Sequence, residues 1–413
     1  MRTRTVAALA LLVVTLSGVG AAALWTLPGG GGGLTEVWIS DTARDNEFNH
    51  HGVGAADGVV VAPVTGLQSQ DDLTRRSCSL NRLDSANGSV RWWVGVPPER
   101  CFSHALTKPA VADLDGDGAL EVVAGTTENA TVAVAASDGR ELFRVPTTAY
   151  GYAQPTVADV AGDADPEVVA SDISGDVFVA SGDGTVRWRG NVSGIVYASP
   201  VVADIDGDEG REVVVAGRSE TVAFEADGTV RWRRDVGAND AAAATVDGES
   251  VVVVAGNDGV VALDGATGDR RWNRSTEGSP AMGALADGDG DGDPETYVSE
   301  AGNVLRALDA ADGSEEWRTR LATSEGSVTP PAVLGDPDGD GSPEVVAVTN
   351  GGTVAVLDPA TGAERAAYER DVSVWTGVTP ANLTAAPGDE LLVRYGDGRV
   401  VALEHGSRVA EGA

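Results

Sequence analysis

Two short motifs recur together along most of this chain, and their repetition constrains the fold more than any other feature. The first places aspartates at loop positions 1, 3 and 5 and a glutamate at position 9, directly before a run of β-branched residues. The second places an aromatic residue four positions after a glycine, and successive aromatics from Trp92 to Trp317 lie 51, 45, 44, 40 and 45 residues apart. Such a period, with Gly turns and no helical periodicity, predicts a β-propeller.

The acidic motif brings alternate carboxylates of a tight loop towards one point. Converging carboxylates repel one another unless a hard cation lies between them, and Ca2+ is the usual ion because it takes six to eight oxygen ligands. Acidic surface loops without an ion are the alternative. The complete copies are Asp113, Asp115, Asp117 and Glu121; Asp204, Asp206, Asp208 and Glu212; Asp287, Asp289, Asp291 and Glu295; and Asp336, Asp338, Asp340 and Glu344.

Two further copies of the acidic motif are incomplete. One contains Asp159, Asp163 and Glu167, with Ala161 at the position of the second ligand. We therefore expect four calcium sites and a weaker fifth. The segment Asn382–Glu390 looks like a decayed copy.

Apolar runs indicate the number of blades, and six of these runs follow an acidic loop or an incomplete copy of one. Eight runs are expected to be the first strands of eight blades: Val59–Val64, Glu121–Ala124, Glu167–Ala170, Glu212–Val215, Val251–Val254, Glu295–Val298, Glu344–Val348 and Glu390–Val393. The strand around Trp38 precedes the first repeat and belongs to no repeat of its own. We therefore expect it to complete the last blade and close the ring. Seven blades would result if the first repeat, which carries an insertion from Gly66 to Arg76, were not a blade.

Charge narrows the range of partners. The formal net charge is −34, the sequence pI is about 4.2, and Lys108 is the only lysine. A chain of this charge would repel a phosphate backbone, so nucleic acid is not expected as a partner. The acidic, lysine-poor composition resembles that of proteins from salt-loving archaea, in which high salt screens the self-repulsion.

The N-terminus predicts export. Residues 1–27 contain Arg2 and Arg4 followed by an uncharged apolar run, which is expected to form a hydrophobic helix. We favour an uncleaved membrane anchor over a cleaved signal peptide, because the Gly-rich segment 28–34 would serve as a tether. The two arginines place the start of the chain inside and residues 35–413, the predicted propeller domain, outside.

Cysteine usage agrees with export. Cys78 and Cys101 are the only two cysteines. In an exported chain an even pair at this separation predicts a disulfide, and two free thiols are the alternative.

Both motifs resemble known propeller repeats. The acidic loops resemble FG-GAP/VCBS repeats, and this resemblance implies that their carboxylates are calcium ligands. The glycine-aromatic motif resembles the tryptophan-docking repeat of pyrroloquinoline-quinone-type eight-bladed propellers, Ala-x-Asp-x-x-Thr-Gly-x-x-x-Trp. Ala262–Trp272 matches this pattern in full, and Ala307–Trp317 departs from it only at Asp312. Together the two resemblances cover roughly Trp38 to Ala410.

The function predicted from these features is binding. No stretch matches the quinone-binding or catalytic residues of dehydrogenases of that type, so no organic cofactor is expected. Tyr152, Tyr197 and Trp375 each lie seven residues before a loop's first position, and exposed aromatics there could hold a sugar ring or a partner loop. We therefore predict a non-enzymatic, surface-tethered binding or scaffold module for a glycan, an envelope protein or a secreted protein.

The alternative to this binding role is an enzyme that uses the channel mouth, with quinone-dependent or polysaccharide-degrading chemistry. A separate candidate site is the loop that contains Asp45, Glu47, His50 and His51, which could bind a transition metal or could simply be solvated.

Overall fold

The computed structural model describes residues 33–45, 49–67, 76–321, 330–384 and 387–406, and the regular secondary structure in this part of the chain is almost entirely β-strand. The strands form eight antiparallel four-stranded sheets, each a propeller blade. The predicted eight-bladed, all-β propeller is therefore confirmed, and the first repeat is a complete blade.

The innermost strands contact their neighbours in one closed cycle, so the sheets form a ring. These strands are β2 (Gly54–Ala56), β6 (Ala110–Ala112), β10 (Thr156–Ala158), β14 (Val201–Ala203), β18 (Asp240–Val246), β22 (Ala281–Ala286), β26 (Val333–Gly335) and β30 (Thr379–Ala381). Blades I to VIII are numbered in this order.

The apolar runs counted in the sequence as first strands are the second strands of their blades. The prediction was wrong in this respect because the innermost strands of most blades are only three residues long, too short to show an alternating pattern. The second strands are β3 (Val59–Leu67), β7 (Glu121–Thr126), β11 (Glu167–Ser171), β15 (Glu212–Ala216), β19 (Glu249–Gly256), β23 (Glu295–Glu300), β27 (Glu344–Val348) and β31 (Glu390–Arg394).

The second and third strands contain the core. Strand β15, for example, is buried along its whole length between neighbouring sheets, as its unbroken run of valines predicts. The third strands are β4 (Arg76–Leu83), β8 (Ala130–Ala135), β12 (Asp176–Ala180), β16 (Thr221–Phe224), β20 (Gly259–Asp264), β24 (Val304–Asp309), β28 (Thr353–Leu357) and β32 (Val400–His405).

The outermost strands carry the aromatic residues. A bulge next to the aromatic interrupts their pairing with the third strand, as between Ala262 and Leu263, the partners of Trp272 and Arg270. The outermost strands are β5 (Val90–Val96), β9 (Glu141–Pro146), β13 (Val186–Asn191), β17 (Val230–Arg234), β21 (Arg270–Arg274), β25 (Glu315–Arg320), β29 (Glu364–Glu369) and, for blade VIII, β1 (Leu34–Ile39).

Strand β1 closes the ring. It pairs antiparallel with β32, so the N-terminal end of the described chain supplies the outer strand of the last blade. The predicted role of the Trp38 strand is confirmed. Closure of this kind protects strand edges that would otherwise be exposed.

The tryptophans join each blade to the next. Trp92 of blade I donates a hydrogen bond from Nε1 to the carbonyl of Ala136 in blade II, at 2.9 Å. Its indole lies against Gly139, which has φ +75°, and a Cβ there would come within 2.9 Å of the ring. The glycine is thus required twice, by its backbone conformation and by the close approach of the indole. The same contact recurs for Trp188 with Ala226, Trp232 with Gly265, Trp272 with Ala310 and Trp317 with Pro359.

The predicted N-terminal hydrophobic helix falls on residues 1–27, which lie outside the described residues. Within the part of the chain that the structure describes, no helix is long and apolar enough to cross a membrane.

Candidate functional site

The blade topology separates two candidate sites. In a four-stranded antiparallel blade, the loop between strands one and two lies at one end of the sheet, and the connection from the outer strand to the next blade lies at the other end. All the acidic loops are of the first kind, because they join β6 to β7, β10 to β11, β14 to β15, β22 to β23 and β26 to β27. Tyr152 and Tyr197 lie in connections of the second kind.

The acidic loops share one hydrogen-bond pattern. In the first of them, Asp113 accepts hydrogen bonds from the backbone N–H groups of Gly116 and Gly118 at 2.8 and 2.9 Å. Glu121 accepts one from the N–H of Leu114 at 2.9 Å. The first and last carboxylates therefore fold the loop as well as facing its centre.

The four complete loops gather their carboxylate oxygens into clusters that could hold a metal ion. The loop that begins at Asp287 is the most complete, since one oxygen from each of its four predicted ligands lies within 4.8 Å of the others. The remaining clusters each contain three residues: Asp113, Asp115 and Glu121; Asp204, Asp206 and Glu212; and Asp336, Asp338 and Asp340. Asp117, Asp208 and Glu344 lie outside these clusters.

The last carboxylate of the Asp287 loop has a spare oxygen. Oε2 of Glu295 accepts hydrogen bonds from Gly288 N–H and from the Tyr297 hydroxyl, at 3.0 and 3.1 Å. Oε1 is buried and has no hydrogen-bond partner among the described residues. Burial raises the pKa of Glu295 to about 7. A buried oxygen without a partner fits a cation ligand, because an ion would remove the cost of burying it.

In the Asp336 loop, a proline removes the backbone hydrogen bond to the last glutamate. Pro337 occupies the second loop position, where the N–H group that caps the glutamate is found in the other loops. Oε2 of Glu344 is accordingly buried without a hydrogen-bond partner in the described structure, while Oε1 pairs with Arg365. Burial raises the pKa of Glu344 to about 7.

The loop with Asp159 differs from the complete copies. Its carboxylates do not form a cluster of the kind found in the other four loops. Arg187 lies 2.8 Å from Oε1 of Glu167 and 3.5 Å from Oδ2 of Asp163. Arginines pair with loop carboxylates in two of the complete loops as well, so the missing carboxylate at the third position is what distinguishes this loop.

At the other end of the ring, a cavity of about 370 Å³ lies at the mouth of the central channel. Its lining residues come from connections between blades and from the inner strands. They include His50, His51, Lys108, Tyr152, Tyr197, Asp240 and Met282. The ring centroids of Tyr152 and Tyr197 are 4.7 Å apart, so these two predicted ligand residues form one edge-to-face pair. Trp375 is 42% exposed and is not among the lining residues.

Sequence reasoning missed several polar groups in this cavity. Burial raises the pKa of Asp240 to about 7, against a hydrogen bond of 3.2 Å that its Oδ2 accepts from the Met282 N–H. Burial also lowers the pKa of Lys108 and raises that of Tyr152 to about 12. Perturbed groups that share a cavity are a recognised mark of functional sites.

The cavity wall also brings histidines together. His50 and His51 lie between β1 and β2, and His104 lies between β5 and β6; one nitrogen from each lies within 4.8 Å of the others. Burial, followed by the neighbouring charges, lowers the pKa of His51 well below its ordinary range and that of His104 to about 4. A signal for His50 existed in the sequence, since it precedes the Asp57 turn by seven residues, as Tyr152 precedes Asp159.

Comparison with known proteins agrees with this architecture. The model of the family described as outer membrane protein assembly factor BamB matches residues 174–290 and 290–412, more than half of the chain. The chain belongs to this BamB family. A second model, the FG-GAP-like repeat, matches residues 113–170, which contain the first acidic loop and the Asp159 loop. Both repeat resemblances seen in the sequence are thus supported, and a search of curated proteins returns no match.

Solved structures show the fold of this BamB-family chain. BamB from Moraxella catarrhalis is 16% identical, with a TM-score of 0.60 over 92% of this chain and 99% of that one. The quinohemoprotein alcohol dehydrogenase ADHIIG from Pseudomonas putida HK5 is 12% identical, with a TM-score of 0.59 over 92% and 78% of the two chains. The designed protein Ika8 is 13% identical, with a TM-score of 0.60 over 90% and 99%. At such identities the likeness extends to the fold and not to the activity.

Proposed function

We propose that this chain is a non-enzymatic binding or scaffold module, exported and tethered at the cell surface by its N-terminal segment, with calcium ions stiffening the blade corners. The Tyr152–Tyr197 pair at the mouth of the channel carries the proposal. Aromatic faces beside polar groups are suited to a sugar ring or to a loop of a partner protein. The matched family is described as an assembly factor, and this description is consistent with a scaffold role.

The other end of the ring supports the calcium part of the proposal. The acidic clusters are built from oxygen ligands alone, which suit a hard cation, and the Asp287 loop has a buried oxygen without a partner. Because these clusters and the channel mouth lie at opposite ends of the blades, the ions would stabilise the scaffold without touching the ligand.

The disulfide supports export. Cys78 and Cys101 are joined, as predicted, with 5.3 Å between their Cα atoms. Disulfides persist in oxidising compartments outside the cytoplasm. Fractionation of source cells, with mass analysis of the N-terminus, tests the anchor: an intact segment 1–27 in the membrane fraction supports it, and a soluble chain that begins after that segment contradicts it.

Ligand screening tests the binding role. The full chain is applied to glycan arrays and to purified envelope proteins in high salt, which screens the net charge of −34. We expect Tyr152→Ala and Tyr197→Ala each to lower the affinity for a ligand found in the screen by about 30-fold, because loss of a hot-spot residue costs about 2 kcal/mol. Trp93→Ala is the control, because Trp93 is 67% exposed and is not among the residues that line the mouth cavity. Equal affinity of all variants for the ligand would contradict the proposal that the ligand binds at the channel mouth.

An enzyme is the second candidate, and Asp240 is the observation that favours it. A partly buried carboxyl group whose pKa is raised to about 7 is suited to proton transfer near neutral pH. Turnover assays with polysaccharides, and with alcohols in the presence of pyrroloquinoline quinone, separate the two candidates. Activity that Asp240→Asn abolishes while ligand binding persists would establish the enzyme, and binding without turnover would support the module.

A further inference from the structure

Three of the chain's four histidines meet at one point of the channel mouth. Nε2 of His50 points at Nδ1 of His104, and their ring centroids are 4.3 Å apart. The His51 ring lies 4.8 Å from that of His50. One nitrogen from each of the three lies within 4.8 Å of the other two. Tetrahedral zinc with nitrogen ligands at about 2.0 Å requires nitrogens about 3.3 Å apart, so small side-chain rotations would bring all three onto one ion.

The His50–His51 segment is held in place by its neighbour Asn49. The Asn49 side chain is buried, and its Oδ1 accepts hydrogen bonds of 2.7 Å from the Thr65 N–H and from Arg394. Its Nδ2 donates to the carbonyls of Thr65 and Gly396. The backbone just before the two histidines is therefore fixed to blades I and VIII, which preorganises their side chains.

The segment that carries His104 is fixed independently. Cys101, three residues earlier, is bonded to Cys78 on β4. On the other side, the carbonyl of Ala105 accepts a hydrogen bond of 3.0 Å from the Thr127 N–H. Tyr152 backs the cluster, with its ring centroid 4.9 Å from those of both His51 and His104.

One atom of the cluster indicates a missing partner. Nε2 of His51 is buried and has no hydrogen-bond partner among the described residues. A buried ring nitrogen without a partner carries a desolvation cost that coordination to a metal would remove. Imidazole ligands suit zinc, copper and nickel, whereas the oxygen-only loops at the opposite end suit calcium. The two ends of the ring therefore differ in ligand chemistry.

We propose that His50, His51 and His104 form a binding site for a divalent transition metal, with zinc as the expected ion. Three protein ligands leave the fourth tetrahedral position for water or a ligand group, the arrangement of zinc sites that act on bound molecules. His50 and His51 line the mouth cavity, so this fourth position opens towards it. The site does not depend on the glycan or protein ligand proposed above, and either proposal can fail without the other.

Cobalt titration tests the site. The full chain, without a histidine tag, is stripped of metal, supplied with excess calcium to occupy the acidic loops, and titrated with Co2+ as a visible-absorbing stand-in for zinc. We expect one equivalent of Co2+ to give the intense absorption of tetrahedral nitrogen coordination, and Zn2+ to displace it. The variants His51→Gln and His104→Gln should lose affinity by more than the roughly 10- to 100-fold that loss of an outer-shell partner costs.

A matched control is available within the chain. His405, at the end of β32, is the one histidine outside the cluster, and His405→Gln should bind Co2+ like the wild type. Thermal unfolding confirms that each variant is folded. If His51→Gln does not fold, His104→Gln, on a loop between blades, still decides the result. Absence of one-equivalent binding by the wild type, or equal binding by the cluster variants and the control, would overturn the proposal.

Discussion

Trp38 lies against Gly88. The indole of Trp38, on the closing strand of blade VIII, donates a hydrogen bond of 2.8 Å to the carbonyl of Ser85 in blade I. A Cβ on Gly88, which has φ +71°, would come within 2.4 Å of the ring. The contact repeats at the ring closure the tryptophan docking that joins the other blades, so the last interface has the same chemistry as the internal ones.

Removal of this indole should open the ring. Trp38 is 7% exposed, and Trp38→Ala is expected to lower the free energy of unfolding by about 3–5 kcal/mol, the usual cost of truncating a buried aromatic. The control is Trp93→Ala, whose exposed side chain should contribute within about 0.5 kcal/mol. Denaturant unfolding in high salt measures both. Equal stability of the two variants would show that the Trp38 contact does not hold the ring closed.

The repeats made the fold predictable to the level of blade number. The glycine-aromatic pairs and the acidic loops each mark a fixed corner of the blade, and the unpaired Trp38 strand indicated how the ring closes. The short innermost strands were not predictable, because three residues such as Val201–Ala203 give no measurable period. Their place at the channel is fixed by packing between blades, which a single repeat does not encode.

The sequence predicted some of the candidate sites better than others. The acidic loops are local in sequence, so the spacing alone located their carboxylate clusters. It did not predict that Arg187 would pair with Glu167. The histidine cluster is not local: His50 and His104 lie on different connections between blades and meet only because the ring places those connections side by side. Asp240 has no motif around it, and its raised pKa follows from burial alone.

The disulfide should contribute to stability through the unfolded chain. It closes a loop of about 24 residues, for which chain entropy predicts about 3 kcal/mol. The double variant Cys78→Ala/Cys101→Ala should lose about this amount, and reductant should destabilise the wild type but not the variant. Denaturant unfolding with and without reductant measures the difference. A variant as stable as the oxidised wild type would contradict the entropic account.

Calcium binding should distinguish a complete acidic loop from the incomplete one. Asp291 and Asp163 occupy the fifth position of their loops, and the Oδ1 atom of each accepts a hydrogen bond from the N–H two residues later. We expect Asp291→Asn to reduce the calcium stoichiometry by one, and Asp163→Asn to leave the four strongest sites unchanged, because the carboxylates of the Asp159 loop do not form a cluster.

Calorimetric titration of the chelated protein measures the stoichiometry. Chelation in high salt should also lower the melting temperature of the wild type by several degrees, because the carboxylate clusters lose the ions that offset their repulsion. A melting temperature that chelation leaves unchanged would remove calcium from the account of these loops.

The partly buried carboxyl group of Asp240 should make stability depend on pH. Its pKa is raised from the ordinary 3.8 to about 7 in the folded chain, so the folded state holds a proton that the unfolded state has lost between these values. Proton linkage then requires the stability contributed by protonated Asp240 to be complete below pH 4 and to fall as the pH rises to about 7, where the folded carboxyl group ionises. Above that pH the cost of the buried charge is constant.

Asp240→Asn isolates this effect from that of the other acidic groups. The amide stays neutral and its oxygen can still accept the hydrogen bond from the Met282 N–H. The variant should therefore gain stability relative to the wild type as the pH rises from 4 to 7, with a constant difference at higher pH. Denaturant unfolding of both proteins at constant high salt, in steps from pH 4 to pH 9, measures this difference. A difference that does not change with pH would mean that Asp240 is ionised in the folded chain throughout this range, in contact with water or with a cation at the channel mouth.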